Sequence, residues 1–211
     1  NAAGRSCCEW RQDVYAIRWQ NSNGRSGYAV ACENEWVPGL CQKPQVKCGE
    51  CPHRQFKPLN VSAVYDHLSG KQVAGLYPLL PDSSCYLLAV DFDKENWKAD
   101  VHLWIFFSEA VPAWSARTLG FKLLDKAMNL HPGLSFSSYD RLFPNQDTIP
   151  AGGFGNLIAL PLQHQARHRG CTVFVDDNLT PYPDQWALLS RQKSLSPDQL
   201  GEKIGRKPDA D

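Results

Sequence analysis

One segment, residues 28–58, constrains the fold more than any other part of the chain. It has few apolar residues, and its four cysteines follow the pattern C-x8-C-x6-C-x2-C: Cys32, Cys41, Cys48 and Cys51. Such a segment cannot build a sufficient core of its own and needs another source of stability. Two thiolates from a C-x2-C turn and two further thiolates form the tetrahedron that zinc prefers. The pattern therefore predicts a small zinc-binding module that folds around its metal.

Two other interpretations of these cysteines stay open. The four could form two disulfides, or they could be buried thiols without a ligand role. His53 could also replace one of them as a ligand, although it follows Cys51 closely. Nearby basic residues favour thiolates and could contact phosphate; they are Lys43, Lys47, His53, Arg54 and Lys57. The other four cysteines lie in or beside apolar segments and are expected to be packing residues: Cys7, Cys8, Cys85 and Cys171.

Length and composition set further limits. The chain has 211 residues, 43% of them hydrophobic, which suits one domain with a small appended module. Its 22 basic and 22 acidic residues cancel, so binding to nucleic acid must depend on local patches. No apolar run approaches the ~20 residues of a membrane span, and the first residues do not resemble a secretory signal. Eight cysteines in a chain with a sizeable core are more typical of a reducing compartment, so we expect a cytoplasmic protein.

The order of apolar and polar segments predicts an α+β fold without regular βαβ alternation. Helices are predicted at 61–68, 112–129 and 197–204, and strands at 85–92 and 103–107. The predicted organisation has four parts: an N-terminal helix of the catalytic domain within 1–27, the zinc-binding module at 28–58, a catalytic core at 59–190, and a polar tail or linker at 191–211. The tail suggests that the chain is the catalytic part of a larger multidomain protein.

A pair of carboxylates ends the apolar strand at 85–92. Side chains alternate along a strand, so Asp91 and Asp93 project from the same face, about 7 Å apart. Two such carboxylates repel each other unless a cation lies between them, and their oxygens suit Mg²⁺ or Mn²⁺. A solvated strand end, or a cap for a helix beginning near Lys94, is the alternative interpretation.

Five strings in a fixed order are more specific than the paired carboxylates. They are AVDFD (89–93), HLWIFF (102–107), SYDRLFPNQD (138–147), GGFGNLIALPLQ (152–163) and YPDQW (182–186). In this order the chain resembles the archaeo-eukaryotic primase superfamily over roughly residues 10–190. It is most similar to the prim-pol branch that includes CRISPR-associated prim-pols and the primases of TOTE conflict systems. The resemblance implies a prokaryotic or phage-encoded enzyme with an RRM-like catalytic sheet flanked by helices.

The resemblance also implies roles for individual residues. Asp91 and Asp93 match the two metal-binding aspartates of the first motif, and His102 matches the histidine that contacts the phosphates of the incoming nucleotide. Asp140 matches the third aspartate, with Asp176 as the competing candidate. Further nucleotide or template contacts are expected from Arg141, Gln146, Asn156 and Gln163.

The chain departs from the family pattern in two places. Only eight residues separate Asp93 from His102, whereas the family has about thirty, including a helix and a Ser-x-Gly-x-Gly-like loop. We expect that a segment is missing near Asp100 and Val101, so the serine of the second motif has no counterpart here. Ala151 also stands where a basic residue would be expected after Pro150.

The predicted function is synthesis and extension of primers from nucleoside triphosphates, NTPs or dNTPs, on a single-stranded DNA template. Two divalent ions, Mg²⁺ or Mn²⁺, are expected to support the transfer, and zinc is expected to be structural. A zinc-dependent nucleic-acid-binding module without catalysis and a metal-dependent nuclease are the alternatives. No membrane partner is expected.

Overall fold

Two antiparallel sheets form the centre of the computed structural model, which describes residues 10–92, 101–131, 140–149 and 151–205. Within these ranges the strands are β1 (Ala16–Gln20), β2 (Ser26–Val30), β3 (Ala74–Leu76), β4 (Ser84–Phe92), β5 (Val101–Pro112), β6 (Arg141–Phe143) and β7 (Ile158–Ala159). The helices are α1 (Val61–Leu68), α2 (Ala113–Leu130), α3 (His164–His168), α4 (Gln185–Arg191) and α5 (Pro197–Ile204). The mixed α and β architecture with antiparallel sheets agrees with the sequence prediction.

The strand β4 is the centre of the second sheet and separates two apolar layers. The first sheet has the order β2-β1-β3-β7, and the second has the order β5-β4-β6. Leu88 and Val90 of β4 pack in one cluster with residues of α2 and α5. Leu87 and Ala89, on the opposite face, pack in another cluster with residues of the first sheet and α1. Alternation along β4 therefore joins the two sheets on one side and the helices on the other.

The N-terminal region is a correction to the sequence prediction. A helix was expected within 1–27, but β1 and β2 form an antiparallel hairpin there, with Ala16 opposite Val30. Val14 and Ala16 are fully buried. The β-branched and aromatic residues of this region favour a pleated, half-buried strand over a helix. Residues 1–9 of the expected helix lie outside the described residues.

The helix predicted at 197–204 is present as α5, but it packs on the protein instead of lying in a polar tail. The helix α5 begins with a capping box, in which Ser196 and Gln199 exchange hydrogen bonds between side chains and backbone. Leu200 is 3% exposed and packs with apolar residues of α2 and β4. Lys122 of α2 donates a hydrogen bond to the carbonyl of Ile204 at 2.7 Å. Residues 196–204 are therefore part of the folded core.

None of the helices within the described ranges has the length and apolar character needed to cross a membrane.

A buried histidine joins α1 to the end of β7. His67 is 1% exposed; its Nε2 lies 2.9 Å from the carbonyl of Pro161, and its Nδ1 accepts the backbone N–H of Ala74 at 3.1 Å. These two contacts specify a neutral ring with the proton on Nε2. Burial lowers the pKa of His67, outweighing the opposing effect of the bond to Pro161.

Because the pKa of His67 is lower in the folded chain, the unfolded chain binds more protons at mildly acidic pH. We expect the free energy of unfolding to fall as pH drops through about 6.5, by up to roughly 1.4 kcal/mol per pH unit. Urea denaturation between pH 8 and 5.5 measures this slope. The slope should flatten in His67→Gln and persist in His131→Ala, which changes an exposed histidine. A parent protein of constant stability over this range would contradict the prediction.

Candidate active site and cysteine module

Asp91 lies where three strands of the second sheet meet. The register places it opposite His102 of β5 on one side and opposite Arg141 of β6 on the other. His102 Nε2 lies 2.9 Å from Asp91 Oδ1, with the carboxylate side chain 13% exposed and the imidazole 38% exposed. The sheet thus presents a mostly buried carboxylate beside a histidine that solvent can reach.

Asp140 adjoins Asp91 through the backbone. Its N–H donates to the carbonyl of Asp91 at 3.0 Å, immediately before β6 begins. The Asp140 carboxylate, 13% exposed, forms an ion pair with Arg141. Asp176, the competing candidate, accepts the backbone N–H groups of Asn178 and Thr180 within its own turn. Asp140 is therefore the candidate that the strand pairing brings next to Asp91.

The face that carries Asp91 and His102 continues into the apolar layer between the sheets. Trp104 follows His102 on β5 with ring centroids 6.3 Å apart, and Phe106 follows Trp104 at the same distance. Both aromatic rings pack against the cluster that joins the two sheets. The site therefore lies at the end of a rigid apolar layer.

The donor atoms here suit a hard divalent cation. Asp91, on β4, and Asp140, immediately before β6, carry carboxylate oxygens, which are the ligands that Mg²⁺ and Mn²⁺ prefer. Asp93, the third predicted carboxylate, lies outside the described residues. Within the described ranges no group of three or more His, Cys, Asp or Glu side chains is placed to hold a metal ion. The described part thus contains two of the three predicted carboxylates, and its donor chemistry fits the metal.

The three predicted amide contacts have partners inside the protein. Gln146 Nε2 donates to the carbonyl of Thr148 at 2.7 Å. Gln163 is 5% exposed and caps α3, its Oε1 accepting the N–H of Ala166 at 3.0 Å. These bonds assign both residues local structural roles, and their contacts with nucleotide or template stay predictions.

Asn156 connects the glycine-rich loop, residues 152–156, to β6, the strand that pairs with β4 at Asp91. Its Nδ2 donates to the carbonyl of Leu142 at 2.9 Å, and its Oδ1 accepts the N–H of Asn145 at 3.2 Å. Leu142 belongs to β6, which begins directly after Asp140. Asn156 therefore holds the backbone that follows a candidate metal ligand. Its predicted contact with nucleotide stays a prediction.

The four cysteines of the 28–58 segment line one cavity. His53, Lys43 and Arg54 share the lining with Cys32, Cys41, Cys48 and Cys51. All six cysteines within the described ranges, these four among them, are free in this structure. The thiols share the cavity without forming a ligand cluster.

Of the expected packing residues, Cys85 is fully buried, whereas Cys171 is exposed and that prediction is wrong. Cys7 and Cys8 lie outside the described residues.

Hydrogen-bond donors surround the sulfurs of this cavity. The backbone N–H of Gln55 donates to Cys32 Sγ at 3.4 Å. Backbone hydrogen bonds, first from Lys43 and then from Trp36, lower the pKa of Cys41. Such bonds favour the thiolate, the form that binds zinc. The donor set therefore fits a structural zinc ion, with thiolates as ligands and backbone amides supporting them.

Lys43 is the main charged group among these thiols. Its ammonium group lies 2.7 Å from Glu35 Oε1 and hydrogen-bonds Cys48. Burial acts to lower the pKa of Lys43, but Glu35 and the nearby thiols Cys48 and Cys41 raise it overall. The pKa of Cys48 is raised by its own burial, against the effect of Lys43. The cation thus favours the thiolate form around it.

The cysteine segment packs directly against the glycine-rich loop. A Cβ placed on Gly49 would lie 1.7 Å from the carbonyl oxygen of Gly152, so only glycine allows this approach. Phe154 of the loop contacts Phe56 edge to face, with ring centroids 5.2 Å apart. Cys48 packs in the same apolar cluster. The loop that carries Asn156 is therefore supported on its other side by the Cys48–Glu50 turn.

Two of these features were missed by sequence reasoning. The approach of Gly49 to Gly152 and the bridging amide of Asn156 both depend on contacts between separate segments. Nothing in the local sequence of Gly49 indicates Gly152 as its neighbour. Asn156 lies in one of the strings that resemble the family. That string indicated a functional residue but not the contacts that the residue makes.

The mixed α and β fold with antiparallel sheets, and the carboxylates beside β4 and β6, are consistent with a primase-type domain of the nucleotidyltransferase class. The family model described as TOTE conflict system, archaeo-eukaryotic primase domain matches residues 5–102 and 98–203. These segments span most of the chain, which therefore belongs to this family, as the resemblance indicated. None of the curated proteins compared with the chain matches it. The two segments meet within 98–102, and the expected break near Asp100 falls among residues 93–100, outside the described residues.

Replacing Gly49 tests the contact between the cysteine segment and the loop. Gly49→Ala should lower the free energy of unfolding by about 2–3 kcal/mol, because the new methyl group meets the Gly152 backbone. Urea denaturation measures the change. Lys47→Ala, which shortens an exposed side chain just before the same turn, should stay within about 0.5 kcal/mol of the parent. Equal stability of Gly49→Ala and the parent would show that the two segments do not pack this closely.

Proposed function

We propose that this domain synthesises and extends primers on single-stranded DNA by transferring nucleotides from nucleoside triphosphates. The observation that carries the proposal is the backbone contact between Asp91 of β4 and Asp140, the residue before β6, with His102 bonded to Asp91. Family membership supports the same class of reaction. Carboxylates on rigid strands are the arrangement that phosphoryl transfer needs, because catalysis there is largely positioning and charge stabilisation.

The roles of the residues follow from their chemistry. Asp91, Asp93 and Asp140 would hold Mg²⁺ or Mn²⁺, which when bound activates the 3′ hydroxyl and neutralises the triphosphate and the leaving pyrophosphate. His102 orients Asp91 through their hydrogen bond, and its exposed side chain can contact the phosphates of the incoming nucleotide. Arg141, also exposed, holds Asp140 in place through their ion pair.

The cysteine module is proposed to bind structural zinc through Cys32, Cys41, Cys48 and Cys51. Its support is the shared cavity and the N–H groups directed at the sulfurs of Cys32 and Cys41. Through the contact of Gly49 with Gly152, the module supports the loop whose Asn156 bonds the backbone of β6 at Leu142. The zinc module would therefore stabilise the backbone next to the catalytic carboxylates.

The test measures incorporation of labelled NTPs and dNTPs on single-stranded DNA, with and without Mg²⁺ or Mn²⁺. Template-dependent products that require the metal are expected. Degradation of the DNA would instead indicate the nuclease alternative. DNA binding and retained zinc without synthesis or degradation would indicate a binding module. Either of these two outcomes would overturn the proposed function.

A further inference from the structure

Two histidines of the short helix α3 face each other away from the catalytic carboxylates and the cysteine cavity. His164 and His168 are four residues apart, so they lie on one face of the helix. Their Nε2 atoms are 3.2 Å apart, and the ring centroids are 4.4 Å apart. The chain has six histidines, and this is the only pair among them with four-residue spacing.

The distance between the nitrogens matches the requirement of one shared ion. With Zn–N bonds of about 2.0–2.1 Å and tetrahedral angles, two nitrogens on one zinc ion lie roughly 3.3–3.4 Å apart. The observed 3.2 Å is close to this value. Imidazole suits Zn²⁺, Cu²⁺ and Ni²⁺, whereas Mg²⁺ prefers oxygen ligands. We propose that His164 and His168 form a chelating site for a divalent transition-metal ion.

The helix that carries the pair is anchored at its first turn. Gln163 caps it through the N–H of Ala166 at 3.0 Å, and Gln165 Nε2 donates to the carbonyl of Gly70 at 3.0 Å. The carbonyl of Pro161, just before the helix, lies 2.9 Å from Nε2 of the buried His67. The backbone beneath the two rings is therefore held by three separate contacts, and a preorganised backbone lowers the entropic cost of binding.

The site is an open one. The two imidazoles supply two ligands, and no third His, Cys, Asp or Glu within the described ranges completes a larger group. Exposed Cys171, three residues after His168, has its sulfur 3.9 Å from the carbonyl of Arg169. Water or an oxygen of a bound molecule fills the remaining positions on the ion. Neutral rings can both direct an Nε2 lone pair at the ion when their protons are on Nδ1.

A hydrogen bond between the two rings is the competing explanation for their closeness, and a metal titration separates the two. The protein is first saturated with zinc and dialysed, so that a tighter cysteine site is filled, and NiCl₂ is then titrated at pH 7.5 by calorimetry. One Ni²⁺ site is expected in the parent. His164→Ala and His168→Ala should each bind Ni²⁺ at least about tenfold more weakly. His131→Ala, at the end of α2, should match the parent.

A competition measurement completes the test. Millimolar Mg²⁺ should not displace Ni²⁺, because Mg²⁺ prefers oxygen ligands. Equal Ni²⁺ affinity in the parent and in His164→Ala, or no Ni²⁺ binding by the parent, would overturn the proposal and favour the hydrogen bond alone. The experiment needs no catalytic activity, and Ni²⁺ bound by any unfilled cysteine would remain in His164→Ala, so the site lost in that variant is assigned to the histidine pair whatever the outcome for the proposed function.

Discussion

Asp91→Asn should abolish nucleotide incorporation while leaving the fold intact. The amide has the size of the carboxylate, and its Oδ1 can still accept the hydrogen bond from His102. It cannot supply the negative charge that a divalent ion requires. We expect a loss of roughly 10³-fold or more in the rate, corresponding to about 4 kcal/mol of transition-state stabilisation. Single-turnover incorporation on primed single-stranded DNA measures it.

A matched variant separates this effect from a general change in charge. Asp125→Asn makes the same chemical change on the exposed side of α2 and should retain the parent rate. Thermal unfolding should give similar midpoints for the parent and both variants. An Asp91→Asn protein that incorporates nucleotide within tenfold of the parent would remove Asp91 from the catalytic metal site.

The sequence predicted those helices and strands that are specified by residues next to one another in the chain. The helix α1 occupies 61–68 as expected, because Asn60 accepts the N–H of Ala63 at its start and Ser69 with Gly70 ends it. The continuous apolar run at 85–92 likewise predicted the strand β4. The alternation of residues along β1 is short, so the sequence there predicts a helix. In the structure, pairing of β1 with β3 favours the strand.

The sequence likewise predicted only part of the candidate site. Asp91 and His102 were named from their strings, and the antiparallel register of β4 and β5 places them opposite each other. The preference for Asp140 over Asp176 rested on the neighbouring sequence and agrees with the pairing of β6 to β4. The contact of Gly49 with Gly152 joins positions far apart in the chain. Spacing and periodicity describe one element at a time, so they contain no information about such a contact.

Cys48→Ser should remove zinc from the protein and unfold the cysteine segment. We expect the dialysed parent to retain zinc at the cysteine module and the variant to lose it, because three thiolates cannot complete the site. Structural zinc contributes apparent binding energies of about 10–16 kcal/mol at pH 7, and a segment with little core has no comparable substitute. Metal analysis after dialysis and the thermal midpoint measure both effects. Cys171→Ser, at an exposed cysteine, is the matched control.

The loss of stability in Cys48→Ser should extend from the cysteine segment to the glycine-rich loop and to Asn145, just after β6. Cys48 packs in the same apolar cluster as Phe154, and Gly49 contacts Gly152, so unfolding of the Cys48–Glu50 turn removes one support of the glycine-rich loop. Amide exchange should then accelerate in residues 152–156 and at Asn145, whose N–H is held by Asn156. Amides of α5, which packs on the opposite side of β4, should change least. If the dialysed parent contains no zinc and Cys48→Ser unfolds at the same temperature as the parent, the cysteines have another role.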